Sequence, residues 1–452
     1  MAPAALTNRA AEQSATGPLP QCSSWSLHRT SSTGPQHPAA PRRLLRIRTL
    51  ADQPAPADLR GEGEQIWEEA PPAVWEEQLL YPEAWFDLFF KYIKQSREGM
   101  WGSGAGPLSC IQGELGWLNF DLGAGAQKEA AKDHGCSSWV GFMICFPETM
   151  ASYKTMGELW KPFAAIDDWM EHQSPRTCAS SDGLDYDRAI GAVPTCFATR
   201  PELASAASDY LLALDKYNAR ATQVDPAWVR RISWGSYLFY RGVMREANSL
   251  SAYQTRGTLP TLEEYLQTRL FSFGGIGMRM LTMVERSVRL NSASFARARL
   301  LLVYAGAATA LFNDCLVAAK EPAEGLFNAV TIAGKSHVVR LHNVILDLFA
   351  DEAARFCASA APKDEAEEFV NVLKASVTGG AVWHNTTGRY RKYVEMTRQP
   401  FAIAGWPEGQ LTDAHSRLRG EVRAMLQRIA REDLPGEFPQ SDEADRRRAA
   451  GA

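Results

Sequence analysis

The side chains best placed to do chemistry in this sequence are carboxylates and an amide at helical spacing, accompanied by arginines. Asp167-Asp168-Trp169-Met170-Glu171 follows the apolar stretch 159–166. On a helix Asp167 and Glu171 lie four apart, and Asp168 and Glu171 three apart, so the acids share one face. Clustered carboxylates attract a hard cation, and Mg²⁺ takes one or two of them together with phosphate oxygens. Taken alone, the pattern more often marks a solvated acidic helix end.

A second group is Asn313-Asp314-Cys315-Leu316-Val317-Ala318-Ala319-Lys320-Glu321. Continuous helix would put Asn313, Val317 and Glu321 on one stripe, entering from an apolar face. An amide and a carboxylate are costly to bury there without a partner, and a metal ion would satisfy both. The alternative is that Asn313 caps a helix and Glu321, with Lys320, faces water. A third group supplies positive charge. Arg269 precedes the helix-weakening Gly274, Gly275 and Gly277, and Arg389-Tyr390 follows Trp383. A guanidinium matches phosphate oxygens with a two-pronged fork, and a tyrosine can donate one further hydrogen bond.

These groups need helices to position them, and the pattern supplies helices. From about residue 140 to 430, apolar residues recur at three- and four-residue spacing, as in Tyr265, Leu266, Leu270 and Phe273. Alternating β-branched runs bounded by hairpin turns are scarce, so a sheet is not expected. Residues 1–50 are rich in Ser, Pro, Ala and Arg with Glu12 as the only acid, a composition that cannot bury a core. It fits an organellar transit peptide or a plain disordered extension. The expected division is a disordered or transit-like extension with linker at 1–72, a helical domain at 73–430, and a charged flexible tail at 431–452.

Composition narrows the function classes. With 48 basic and 52 acidic residues the net charge is -4, which argues against nucleic acid or an anionic membrane as partner. The longest apolar run, Leu300 to Phe312, is too short to span a bilayer and reads as a buried helix. The eight cysteines include no Cys-x-x-Cys pair, so a reducing compartment is the plain reading and a zinc site is not. The histidines show no paired ligand spacing, and no Gly-x-Ser-x-Gly elbow occurs. A soluble protein is expected, cytoplasmic, or plastid or otherwise organellar if residues 1–50 are a transit peptide.

In order and approximate spacing, the combination resembles the class I terpene synthases, of the microbial type with a single α domain. The family's Asp-rich motif is matched by Asp167, Asp168 and Glu171, and its second metal motif, NDxxSxxKE, by Asn313, Asp314, Lys320 and Glu321. Its diphosphate-sensing arginine is matched by Arg269, and its C-terminal Arg-Tyr pair with preceding Trp by Arg389, Tyr390 and Trp383. The resemblance covers roughly residues 80 to 400. One position departs: Val317 stands where the family has Ser or Thr, and offers no oxygen to a cation.

The resemblance implies an all-α fold, a single class I terpenoid synthase bundle behind a disordered N-terminal extension. It implies three Mg²⁺ ions, with Mn²⁺ a possible substitute, held by Asp167, Asp168, Glu171, Asn313 and Glu321. Arg269, Lys320, Arg389 and Tyr390 would bind the diphosphate. Phe163 and Trp383 would wall the pocket, and the backbone around Ser272 to Gly275, Gly274 included, would turn a carbonyl toward the cation. The reaction would ionise a prenyl diphosphate, farnesyl diphosphate first and geranyl diphosphate second, in a monomer or homodimer. Missing Ser/Thr at Val317 implies weaker magnesium binding. A helical binding or scaffold protein on the same fold, or a prenyl-diphosphate phosphohydrolase, are the alternatives. Asp185-Tyr186-Asp187-Arg188 lacks the acid motif of class II cyclases, and a chain-elongating prenyltransferase would carry two Asp-rich motifs.

Overall fold

The structure is a computed structural model. It describes residues 43–46, 66–69, 79–102, 144–159, 201–318, 320–323, 325–360, 362–386, 402–403 and 413–434. These residues are overwhelmingly helical, as expected.

Helix α1 spans Glu83–Trp101, residues 150–159 form α2, α3 spans Pro201–Val224 and α4 Ala227–Arg256. Helices α5 (Leu262–Ser272), α6 (Gly275–Glu285) and α7 (Ser292–Leu316) come next. Two short pieces, α8 (Lys320–Ala323) and α9 (Ala329–Ala333), lead into α10 (Lys335–Ser359) and α11 (Lys363–Thr386), and α12 spans Asp413–Asp433.

The core sits around α7. Its 301–316 run is buried on every face, and α5, α6, α9, α10, α11 and α12 all pack against it. Surrounding helices explain why α7 is apolar all round rather than amphipathic. It is also the one described helix long and apolar enough to cross a membrane, and here that apolar surface faces other helices. Each fully buried Leu or Phe of α7, such as Leu301, Leu311 and Phe312, contributes about 1.5–3 kcal/mol.

Three short strands were not legible in the residue pattern. Arg43–Arg46 (β1) pairs antiparallel with Ile66–Glu69 (β2) and with Ala402–Ile403 (β3), in the order β2-β1-β3. Runs of two to four residues hold too little alternation to stand out from a linker. Two of them lie within the stretch whose composition reads as extension and linker.

Both ends of α5, the helix that carries Arg269, are set by local signals. A capping box starts α5: the Thr261 hydroxyl accepts from the Glu264 amide at 3.2 Å, and the Glu264 carboxylate accepts from the Thr261 amide at 2.8 Å. The helix stops at Ser272, and Gly274 takes a left-handed φ of 69° that other residues rarely adopt, so the chain turns and restarts as α6. Helix α4 presses on this turn through Gly242. A methyl group there would lie 2.3 Å from the Ser272 nitrogen and 2.7 Å from the Phe271 carbonyl carbon, neither of which can step aside. Gly242→Ala is therefore expected to destabilise the fold by about 1–3 kcal/mol through overpacking. Urea unfolding reads this directly, and an unchanged midpoint would mean that α4 and the turn are not in such close contact.

Candidate active site

Helices α5 and α7 bring the central cluster together. Arg269, on the last turn of α5, reaches three partners. Its Nη1 donates to Glu246 Oε1 of α4 at 3.1 Å, its Nη2 donates to Asn313 Oδ1 at 3.1 Å, and its Nε faces Asp314 Oδ1 at 3.4 Å. Asp314 is fully buried and takes two further donors on Oδ2, the Tyr265 hydroxyl at 2.7 Å and the Ala329 amide at 3.1 Å. Asn313, also buried, turns its amide nitrogen to His384 Nε2 at 3.0 Å.

Glu321 reaches the cluster by a different route from the one that its spacing predicts. A continuous helix through Asn313, Val317 and Glu321 does not form. Helix α7 ends at Leu316, Val317 caps it, and the carbonyl of Val317 accepts from the amides of both Lys320 and Glu321. Pro322 is one reason: without an N–H it cannot bond the carbonyl four residues back. Glu321 instead sits on the four-residue α8, where its Oε2 accepts from Asn328 Nδ2 at 2.8 Å, and Asn328 in turn caps α9. Lys320 lies beside it, half-buried.

Electrostatically, three carboxylates (Glu246, Asp314, Glu321) surround one guanidinium. Burial pushes the Glu321 carboxyl up to about 8; Arg269 opposes that shift and Asp314 adds to it. Burial also raises Asp314, against the pull of Arg269 and the Tyr265 hydrogen bond. Burial alone would lower Arg269, but Glu246, Tyr265, Asp314 and Glu321 together hold it well above its usual value. Three carboxylates to one guanidinium, with Asp314 fully buried among them, leave an excess of negative charge that favours a divalent cation here. The donor oxygens, an amide and a carboxylate, suit a hard cation such as Mg²⁺. So the residues present fit a metal ion, with Asn313 Oδ1 and Glu321 as the groups to hold it. Val317, 3% exposed, brings no oxygen, and Arg269 shares the lone pairs of Asn313. Among the described residues no group of three His, Cys, Asp or Glu forms a metal cage, so this is at most one side of a site.

A small apolar cavity of about 20 Å³, room for about one water, lies beyond the Gly274 turn, between α2, α3, α4 and α6, lined by Leu159, Leu214, Ile232, Phe239, Gly274 and Leu281 among others. Ser272 is buried at the turn, and its hydroxyl has no hydrogen-bond partner among the described residues. Among the described residues, Phe239 is the one aromatic lining the cavity. Trp383, expected as a pocket wall, is not among the lining residues; it packs edge-on against His384, ring centroids 4.5 Å apart. The sequence pattern did not mark Glu246, Tyr265 or His384 as site residues. Phe163, Asp167, Asp168, Glu171, Arg389 and Tyr390 lie outside the described residues.

Residues 148–346 match the family model described as terpene synthase family 2, C-terminal metal binding. These residues belong to the terpene synthases. The terpene synthase region takes in Arg269, Asn313, Asp314, Lys320 and Glu321, and also the Asp167–Glu171 motif; Trp383 and the Arg389-Tyr390 pair fall beyond it. No curated protein sequence matches the chain.

Among solved structures, 2-methylisoborneol synthase from Streptomyces coelicolor A3(2), in complex with Mg²⁺ and geranyl-S-thiolodiphosphate, is similar at 18% identity and a TM-score of 0.48, covering 72% of this chain and 98% of that one. Linalool/nerolidol synthase from Streptomyces clavuligerus, in complex with 2-fluorogeranyl diphosphate, is similar at 14% identity and a TM-score of 0.46, covering 72% and 100%. Aristolochene synthase from Penicillium roqueforti stands at 15% and 0.45, covering 70% and 100%.

Proposed function

We propose that the protein is a class I terpene synthase that uses Mg²⁺ to ionise a prenyl diphosphate, farnesyl diphosphate by preference and geranyl diphosphate next, releasing a sesquiterpene or monoterpene and diphosphate. The observation that carries this reading is the Arg269–Asn313 hydrogen bond inside the metal-binding family region, with the Glu321 carboxyl near enough to act on the same guanidinium through its charge.

Bound Mg²⁺ would supply charge neutralisation on the departing diphosphate. The chain's own residues do the rest. In this reading Arg269, Lys320, Arg389 and Tyr390 donate to diphosphate oxygens. Asn313 and Glu321 would hold the metal, and in this reading Asp167 would be a further direct ligand, with Asp168 and Glu171 supporting it. Three ions fit the resemblance, and Mn²⁺ is a plausible substitute. The cavity's apolar lining suits a hydrocarbon cation, and at about 20 Å³ it would have to widen to take a prenyl chain. The carbonyls from Ser272 to Gly274, at the α5–α6 turn, offer dipoles to that cation. Phe163 and Trp383 complete the aromatic surroundings in this proposal, Trp383 from behind His384 rather than on the cavity wall.

One observation favours a second reading, a binding protein on the same fold: Val317 removes a donor and Arg269 already occupies Asn313 Oδ1. Product analysis separates them. Incubated with geranyl, farnesyl or geranylgeranyl diphosphate, the protein is expected to release a hydrocarbon or rearranged alcohol from one of them with Mg²⁺ and none with EDTA. Unrearranged prenyl alcohol alone would indicate a phosphohydrolase. A folded protein that yields nothing from all three would put the binding reading first.

A further inference from the structure

Asn313 can hold a cation only with its oxygen turned toward it, and an amide side chain has two nearly identical faces. What fixes the orientation is legible in a chain of hydrogen bonds. Arg269 Nη2, 3.1 Å from one end of the amide, carries only donors, so that end is oxygen. The NH₂ end then faces His384 Nε2 at 3.0 Å, and Nε2 must accept. The remaining proton therefore sits on Nδ1, which lies 2.6 Å from the Gly380 carbonyl, a group that can only accept. Each assignment forces the next.

The imidazole is itself held in place. His384 is fully buried on the last turns of α11, stacked on Phe273 at 16° between planes and 6.2 Å between centroids. Phe312 and Trp383 close two further sides, at 5.6 and 4.5 Å. Caged by three rings and bonded to its own helix, the ring cannot swing away from Asn313.

We infer that His384 is a positioning residue that holds the Asn313 carboxamide with its oxygen toward the metal. This rests on Asn313 being a metal ligand, as proposed above. Without an acceptor at the Nε2 position, the buried NH₂ loses this hydrogen bond, and the amide orientation is left to be fixed from the oxygen end, by Arg269. A rotated amide presents N–H groups where a cation needs oxygen. Losing such a supporting partner typically weakens metal binding by about 10–100-fold. An ordinary packed core histidine would fill the same space without any such effect.

The test uses two isosteric substitutions in the full chain. His384→Gln reaches the Nε2 position and can still accept from Asn313; His384→Asn reaches only the Nδ1 position, keeping the Gly380 bond and losing Asn313. Mn²⁺ binding in the presence of inorganic pyrophosphate is read by electron paramagnetic resonance, with Asn313→Ala as control and urea midpoints to confirm folding. The expected result is near-normal Mn²⁺ affinity for His384→Gln, and a loss of about 10–100-fold for His384→Asn. In turnover the same loss should appear as a raised Mg²⁺ requirement with kcat retained at saturating Mg²⁺. Equal affinity in both variants, or a loss in Gln and not in Asn, overturns the role given to His384. If Asn313→Ala itself binds Mn²⁺ normally, the metal assignment of Asn313 fails instead, and the two failures are told apart.

Discussion

Asn313→Ala and Glu321→Ala should each lower Mg²⁺-dependent diphosphate release by about 10²–10³-fold, equivalent to roughly 3–4 kcal/mol of lost charge stabilisation at the leaving group. Their effects on folding should differ, and that difference is what identifies the site. Asn313 bonds both Arg269 and His384, so its loss leaves two buried groups short of a partner and costs about 1–3 kcal/mol of stability. Glu321 is a more balanced case. Burial and the neighbouring Asp314 carboxylate disfavour its charge, while Arg269 and the Asn328 hydrogen bond favour it, so removing it takes away both kinds of interaction. Glu321→Ala is therefore expected to lose less stability than Asn313→Ala, about 1 kcal/mol, while turnover collapses. Such a pairing of lost activity with a small loss of stability marks a residue kept for function. Diphosphate release and urea titration of the same preparations provide both readouts. A Glu321→Ala protein that turns over at the wild-type rate would remove Glu321 from the site, and with it the second metal motif.

How much of this was visible in the residues depends on the distance over which each interaction acts. Arg269, Asn313 and Glu321 could be singled out because their types are unusual on otherwise apolar helices. The structure joins Arg269 to Asn313 by a hydrogen bond and leaves Glu321 near enough to act on the arginine through its charge. The turn at Gly274 was legible for the same local reason, since glycines weaken a helix wherever they fall. The single stripe through Val317 was not correct, because spacing arguments assume a continuous helix. Pro322 and the bonds around Val317 break it, and Asn328 restores Glu321 to the cluster by a loop contact that periodicity does not encode. Tyr265 reads as one more apolar residue of α5; only its hydrogen bond to Asp314 reveals a polar role. His384 is further out of reach, because its partner lies 71 residues away on another helix and an isolated histidine carries no spacing signal. Glu246 is a similar case, one acid on the long helix α4 until Arg269 is folded against it.

The second large effect is expected at Asp314, through folding rather than ligation. Its two oxygens are already taken up by protein: Oδ2 by the Tyr265 hydroxyl and the Ala329 amide, Oδ1 by the Arg269 guanidinium. Burial makes the ionised carboxylate unfavourable in itself, and its partners offset that penalty. Replacing the whole cluster with apolar residues could thus be nearly neutral. Removing Asp314 alone is not, because it strands a hydroxyl, a backbone N–H and part of a guanidinium in the core. Asp314→Ala should therefore lose about 3–5 kcal/mol of stability. Asp314→Asn keeps one oxygen for the Ala329 amide and should lose less. Because Ala329 opens α9, just past the loop that carries Glu321, loosening this anchor should also weaken Mn²⁺ binding in both variants. Urea midpoints with an unchanged m-value would report the first effect and Mn²⁺ titration the second. An Asp314→Ala protein with the wild-type midpoint would show that α5, α7 and α9 are not pinned together here. The site would then have to be held by Arg269 and Glu246 alone.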